Sequence, residues 1–168
     1  MREVVAIIGS IGYRSQLDRT RRFLDRVQSV DPRRDVDYQD DVWAFFQNCW
    51  HIKDWLKHDY RVPKRTRDLV IAAAHASRVL QVCRDMANGT KHRKLTRRDK
   101  TRPPPRARAM HMWTNTTIVP GGPTTMDCLL KFPHRRVRFR SARAVAVECV
   151  DEWVKILGAE GLNTTRRS

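Results

Sequence analysis

Apolar residues recur at helical spacing in four stretches of the 168-residue chain and alternate with polar ones in a fifth. The first helix opens at Ser15, which forms a capping-box pattern with Asp18. Leu17, Thr20, Phe23, Leu24, Val27 and Val30 make its stripe, and Asp31-Pro32 stops it. A second helix spans about Tyr38 to His58. At about 100° per residue, Val42, Trp43, Phe45, Phe46, Cys49, Trp50, Ile52 and Leu56 fill half its circumference. So wide an arc predicts a central helix packed on two sides. Opposite it, Asp40, Gln47, His51, Asp54 and His58 form a narrow polar stripe with Asn48 at its margin. Lys53 projects from the apolar side and must snorkel.

Thr66 caps a third helix from about Arg67 to Asn88, with Leu69, Ala72, Ala73, Ala76, Val79, Leu80, Cys83, Met86 and Ala87 on its apolar face. The alanines leave room for a neighbouring helix to approach closely. Further on, Met110, Met112 and the Thr114 to Val119 segment, then Met126 to Phe132, read as two strands about the turn Gly121-Gly122-Pro123. Arg135 to Arg140 adds a third strand with Val137 and Phe139 inward. Ser141 caps a final helix whose face is Val145, Ala146, Cys149, Val150, Trp153, Ile156 and Leu157, ending at Gly158.

The expected fold is therefore mainly α with a small β element (α+β): a helical bundle plus an antiparallel hairpin or three-stranded meander and a C-terminal helix. Residues 15–162 form one domain, with the basic segment 91–108 as a linker inside it. Residues 1–14 are read as an extension and residues 163–168 as a frayed tail. The extension carries a β-like run, Val4 to Ile8, followed by Gly9-Ser10-Ile11-Gly12. It lacks both the third glycine of a dinucleotide fingerprint and a Gly-Lys-Ser/Thr ending.

One junction joins the core to the most charged surface: Asp85-Met86-Ala87-Asn88-Gly89-Thr90-Lys91-His92. Asn88 and Gly89 tolerate the left-handed backbone that closes a helix, and Lys91 and His92 then meet its carbonyl end. Gln81, Arg84 and Asp85 share the adjoining helix face.

Charge changes the picture at this point. The formal net charge is +16, and Lys91 to Arg108 supplies half of it, with nine Lys or Arg against one Asp. Pro103-Pro104-Pro105 makes a stiff spacer within that segment. Such a balance implies a polyanionic partner, nucleic acid before an anionic membrane surface. Arg93, Lys94, Arg97, Arg98, Lys100 and Arg102, with Arg135, Arg136, Arg138 and Arg140, are the candidate phosphate-binding residues. Only Trp113 and Phe139 lie near them, which argues against base stacking as the main mode of binding. No run approaches the ~18 apolar residues of a membrane span, and Val4 to Ile8 is too short for a signal peptide. A cytoplasmic protein without a membrane partner is expected.

Cys49, Cys83, Cys128 and Cys149 are widely spaced, and three of them fall on apolar helix faces. That predicts free buried thiols rather than a disulfide framework or a zinc clip. His51, Asp54 and His58 share a helix face on which a metal site is geometrically conceivable, but no further cluster completes a coordination shell. Exposed charge pairing is the expected role for that stripe, and no metal or cofactor is expected.

A helical hairpin in a basic chain, with Asn88 and His92 at the end of its second long helix, resembles the HEPN superfamily over residues 36–92. Catalytic members of that family are metal-independent ribonucleases in which an arginine precedes the histidine with four to six residues between them. Here those positions hold Ala87, Met86 and Asp85, and seven residues separate Arg84 from His92. The resemblance implies His92 as general base or acid at a ribose 2′-hydroxyl, giving a cyclic phosphate. It further implies Arg84 or Lys91 as the charge stabilising the pentavalent phosphate, with Asn88 orienting the phosphate or the histidine. The expected function is nucleic-acid binding, RNA before DNA, with metal-independent RNA cleavage as its catalytic extension. From a different class, the alternative is a noncatalytic protein–protein interaction or homodimerisation module. Trp55, off the main apolar arc, is its candidate contact.

Overall fold

The computed structural model of the chain describes residues 12–29, 35–91, 113–117, 125–131 and 139–166. Among these, α1 (Tyr13–Gln28), α2 (Asp35–Lys57), α3 (Lys64–Ala76) and α4 (Leu80–Lys91) precede β1 (Trp113–Thr117), β2 (Thr125–Lys131) and β3 (Phe139–Ser141), and α5 (Ala142–Ala159) closes the chain. The strands form one antiparallel sheet in the order β1-β2-β3, with Trp113 opposite Leu129 and Leu129 opposite Ser141. This is the mainly α, α+β architecture that the periodicity predicts. The N-terminal run through Ile11, Val30 with Asp31-Pro32, the Gly121 turn and Val137 lie outside the described residues.

The two-sided arc of α2 is borne out. Val42, Phe45, Phe46, Cys49, Ile52 and Leu56 have no exposed surface. The helix packs against α1, α3, α4, α5 and β2. Burying an aliphatic or aromatic side chain contributes roughly 1.5–3 kcal/mol, so this one helix carries much of the folding free energy. Two of its mid-helix carbonyls receive donors from outside: Gln16 Nε2 reaches Asn48 O at 2.9 Å, and Trp153 Nε1 reaches Cys49 O at 3.0 Å. These two directional contacts fix the rotation of α1 and α5 about α2. Lys53 snorkels as required, its ammonium 4.9 Å over the Trp50 ring and 2.5 Å from Asp54 Oδ1.

The third helix departs from expectation, because it is two. A break at Ser77-Arg78-Val79 separates α3 from α4. Ala74 and Cys83 are both fully buried. Nine residues apart, they would stand about 180° from each other on an unbroken helix. The break resets the phase so that each faces the core. In consequence Leu69, Ala72, Ala73 and Ala76 point outward, and Val70 and Ala74 replace them inside. Ser77 marks the restart: its Oγ accepts the Leu80 N–H at 3.4 Å and donates to Glu152 at 2.9 Å, which clamps the break to α5. Thr66 does not cap α3, which begins after Pro63.

Helix ends differ in other places too. Asn88 and Gly89 do not close α4, which continues through both to Lys91. Packing of Met86 and Ala87 against the core outweighs the weak helix propensity of Asn and Gly. Among the described residues only Gly161, with φ 70°, is left-handed, and it follows the end of α5 in place of Gly158. Ser141 does cap α5, its Oγ accepting the Ala144 N–H at 3.2 Å.

The start of α1 is capped from a distance. Its N-cap is Gly12, and the Ser15–Asp18 box supplies no cap hydrogen bond. Instead Asp59, in the α2–α3 connection, accepts the Tyr13 N–H at 3.2 Å, a carboxylate at the positive end of the helix. Arg61 holds that carboxylate at 2.8 and 2.9 Å, and this hydrogen bonding keeps its pKa below the ordinary value against the opposing effect of burial. The expected tail is docked as well. Tyr13 Oη donates to Asn163 O at 3.1 Å, Arg21 reaches Thr164 O at 2.7 Å, and Arg166 pairs with Asp25 at 2.6 Å. Gly12 to Arg14 and Asn163 to Arg166 thus belong to the fold. No helix among the described residues is long and apolar enough to cross a membrane.

A Cβ added at Gly12 would lie 1.8 Å from Asp59 Oδ2 and 2.0 Å from Arg61 Nη2. Gly12→Ala must therefore push the capping carboxylate off α1. It is expected to lower stability by about 1–2 kcal/mol in urea unfolding, the range for a lost cap.

Candidate functional site

The described part of the junction is one side of α4. Asn88 lies four residues from Arg84 and three from the adjacent Asp85, so the three share that side. Arg84 Nε and Nη2 both donate to Asp85 Oδ1, at 3.0 and 2.9 Å, and the Asp85 side chain is only 5% exposed. Two of the guanidinium's donors are thus committed within the chain. Asn88 is half-buried, and Lys91 is the last helical residue of α4. His92, Arg93, Lys94, Arg97, Arg98, Lys100, Arg102, Arg135, Arg136 and Arg138 lie outside the described residues. Arg140 is described: it pairs with Glu148 and ties β3 to α5.

The structure adds a histidine that sequence reasoning missed. His75, near the end of α3, meets Trp50 edge-on with ring centroids 5.2 Å apart. Burial lowers its pKa first, the Lys53 and Arg84 cations lower it further, and Asp54 opposes them. Gln81 Nε2 donates to the His75 carbonyl at 3.0 Å across the helix break. The imidazole of His75, exposed on α3, therefore sits near the Lys53 and Arg84 cations and the Asp54 carboxylate where α2, α3 and α4 meet. Its only mark in the sequence is a polar residue within an alanine run.

The remaining polar candidates disperse. Asp54 pairs with Lys53, His58 is exposed, and His51, Asp54 and His58 form no ligand cluster. Asp41 meets Arg26 of α1 at 3.5 Å. Trp55 is half-buried with the Arg19 guanidinium 5.8 Å over its ring, so α1 already uses it.

The cysteines are free and buried, as their spacing predicts. They are not all isolated, however. Among the described residues one group of three or more potential metal ligands converges, and it is Cys49, Cys83 and Cys149. Linear spacing gives no sign of it, because each thiol comes from a different helix.

Comparison of the chain with protein-family models, with curated proteins and with solved structures yields no match.

His75 is expected to titrate below the ordinary histidine value of about 6.5 in an NMR titration. Because the folded state disfavours its protonation, the unfolded chain takes up the proton first. Stability held above the ordinary value is then lost as the pH falls through it, and His75→Gln is expected to remove that part of the pH dependence.

Proposed function

We propose that the protein binds nucleic acid, RNA before DNA, through a basic surface continuing from α4 on a HEPN-like helical scaffold. One observation carries this reading: the charge is segregated along the chain. Residues 35–90 hold eight Lys or Arg against eight Asp, whereas residues 91–108 hold nine against one. Within residues 35–90, carboxylates and cations pair with one another, as in Asp54–Lys53, Asp59–Arg61, Asp68–Lys64 and Asp85–Arg84. The excess has no such internal match in sequence, and phosphates are its natural counterion.

Metal-independent RNA cleavage is the second reading. The continuation of α4 to Lys91 favours it, because Asn88 and Lys91 then stand one turn apart on one helix. In this reading His92 serves as general base or acid at the ribose 2′-hydroxyl, and Asn88 orients the phosphate. Lys91 takes the stabilising role in preference to Arg84, whose donors serve Asp85.

Fluorescence anisotropy with single-stranded RNA tests both. Binding should weaken steeply with salt, and alanine at Arg93, Lys94, Arg97 and Arg98 together should reduce the log–log slope by about 3. RNA cleavage in EDTA that disappears in His92→Ala with binding retained supports the enzyme; intact RNA with salt-sensitive binding leaves a binding module. Absence of binding at low salt overturns both and favours the protein-interaction or homodimer reading, with the outward row Leu69, Ala72, Ala73 and Ala76 of α3 as its surface.

A further inference from the structure

Cys49 of α2, Cys83 of α4 and Cys149 of α5 bring their sulfurs to within 4.8 Å of one another. None of the three has exposed surface, and none is in a disulfide. Cys83 Sγ and Cys149 Sγ are 3.3 Å apart, and Cys149 Sγ lies 3.8 Å from the carbonyl of Val79 at the helix break. A single buried thiol packs as a small hydrophobe and needs no other role. Three converging at one water-free point is a different matter, because each S–H is a weak donor and a weak acceptor. Aliphatic side chains would fill the same volume without burying any polar group.

We propose that these three sulfurs form a buried site for one thiophilic d10 cation of the Cu(I) class, bound in three-coordinate geometry. The donor set selects the class of metal. Soft thiolates with no carboxylate or imidazole among them favour Cu(I), Zn(II) or iron–sulfur chemistry over hard cations. The number of donors then separates these. Structural zinc is almost always four-coordinate, and the cluster offers three ligands. Trigonal coordination at a metal–sulfur distance of about 2.3 Å puts the sulfurs about 4.0 Å apart. Cys83 and Cys149 stand closer than that, at 3.3 Å, and no two of the sulfurs are more than 4.8 Å apart, so small side-chain rotations complete the triangle.

Charge also favours a monovalent ion: one thiolate and one monovalent cation make a neutral pair, which a low-dielectric core tolerates, and each further proton released on binding adds one negative charge. Since the sulfurs have no exposed surface, the ion enters as the chain folds.

The test refolds the full chain anaerobically with Cu(I) supplied from a competing chelator, and in parallel with Zn(II). The expected result is about one Cu(I) retained per chain, a thiolate-to-metal charge-transfer absorption, and X-ray absorption showing sulfur ligands alone. Cys83→Ser and Cys149→Ser are each expected to weaken retention by at least ~100-fold. Cys128→Ser, which removes the cysteine outside the cluster, is expected to retain the ion. Circular dichroism checks that each variant folds, and the sulfur count on the wild-type chain stands independently of the variants. No retained Cu(I), nitrogen or oxygen ligands at the metal, unchanged binding in a folded Cys83→Ser chain, or preferential retention of Zn(II) with a fourth ligand would each overturn the proposal.

Discussion

The other four described helices and β2 all pack on α2. A 23-residue helix with large apolar groups around half its circumference cannot be satisfied by one neighbour. It therefore draws α1 and α5 to some of its surface and α3, α4 and β2 to the rest. Burial alone is non-directional and would let those elements slide or rotate. Polar contacts supply the direction: Gln16 and Trp153 donate to consecutive α2 carbonyls, and Asp59 reaches from the end of α2 to cap α1. The segment Asn163 to Thr164 is docked on α1 by Tyr13 and Arg21.

The break between α3 and α4 follows from that demand. Val70 and Ala74 must face α2 and its partners, and so must Leu80, Cys83 and Met86. No single helical phase serves both groups, so the chain gives up three residues of helix at Ser77-Arg78-Val79 and anchors the gap through Ser77 and Glu152. The reset has two products. It turns the alanines of α3 outward, and it brings Cys83 round to Cys49 and Cys149.

Legibility in the sequence followed the range of the interactions. The α2 arc, the α5 face with its Ser141 cap and the presence of strands before α5 were readable because each depends on residues close in the chain, whereas the inward-outward alternation expected over Arg135 to Arg140 does not appear in β3, whose three residues are equally half-buried. The α3–α4 break was hidden: two short helices out of phase look like one long helix unless Ser77 is read as a second N-cap. Asn88-Gly89 misled for a related reason, since local propensity marks a stop that packing of Met86 and Ala87 overrides. Remote contacts left no mark at all. Asp59 on Tyr13, His75 against Trp50 and the meeting of three thiols each depend on the assembled bundle. The pairing of Arg84 with its neighbour Asp85 is local, but sequence alone does not show that two of its donors are committed there.

The proposed function divides labour between a charge-balanced helical scaffold at residues 35–90 and a strongly cationic segment at residues 91–108 that would engage nucleic acid. Hydrogen–deuterium exchange of the intact protein, with and without single-stranded RNA, tests that division most directly. New protection is expected across residues 91–108 and the last turn of α4, with α2 and α5 unchanged. Protection confined to the outer face of α3, with none beyond Lys91, would contradict it.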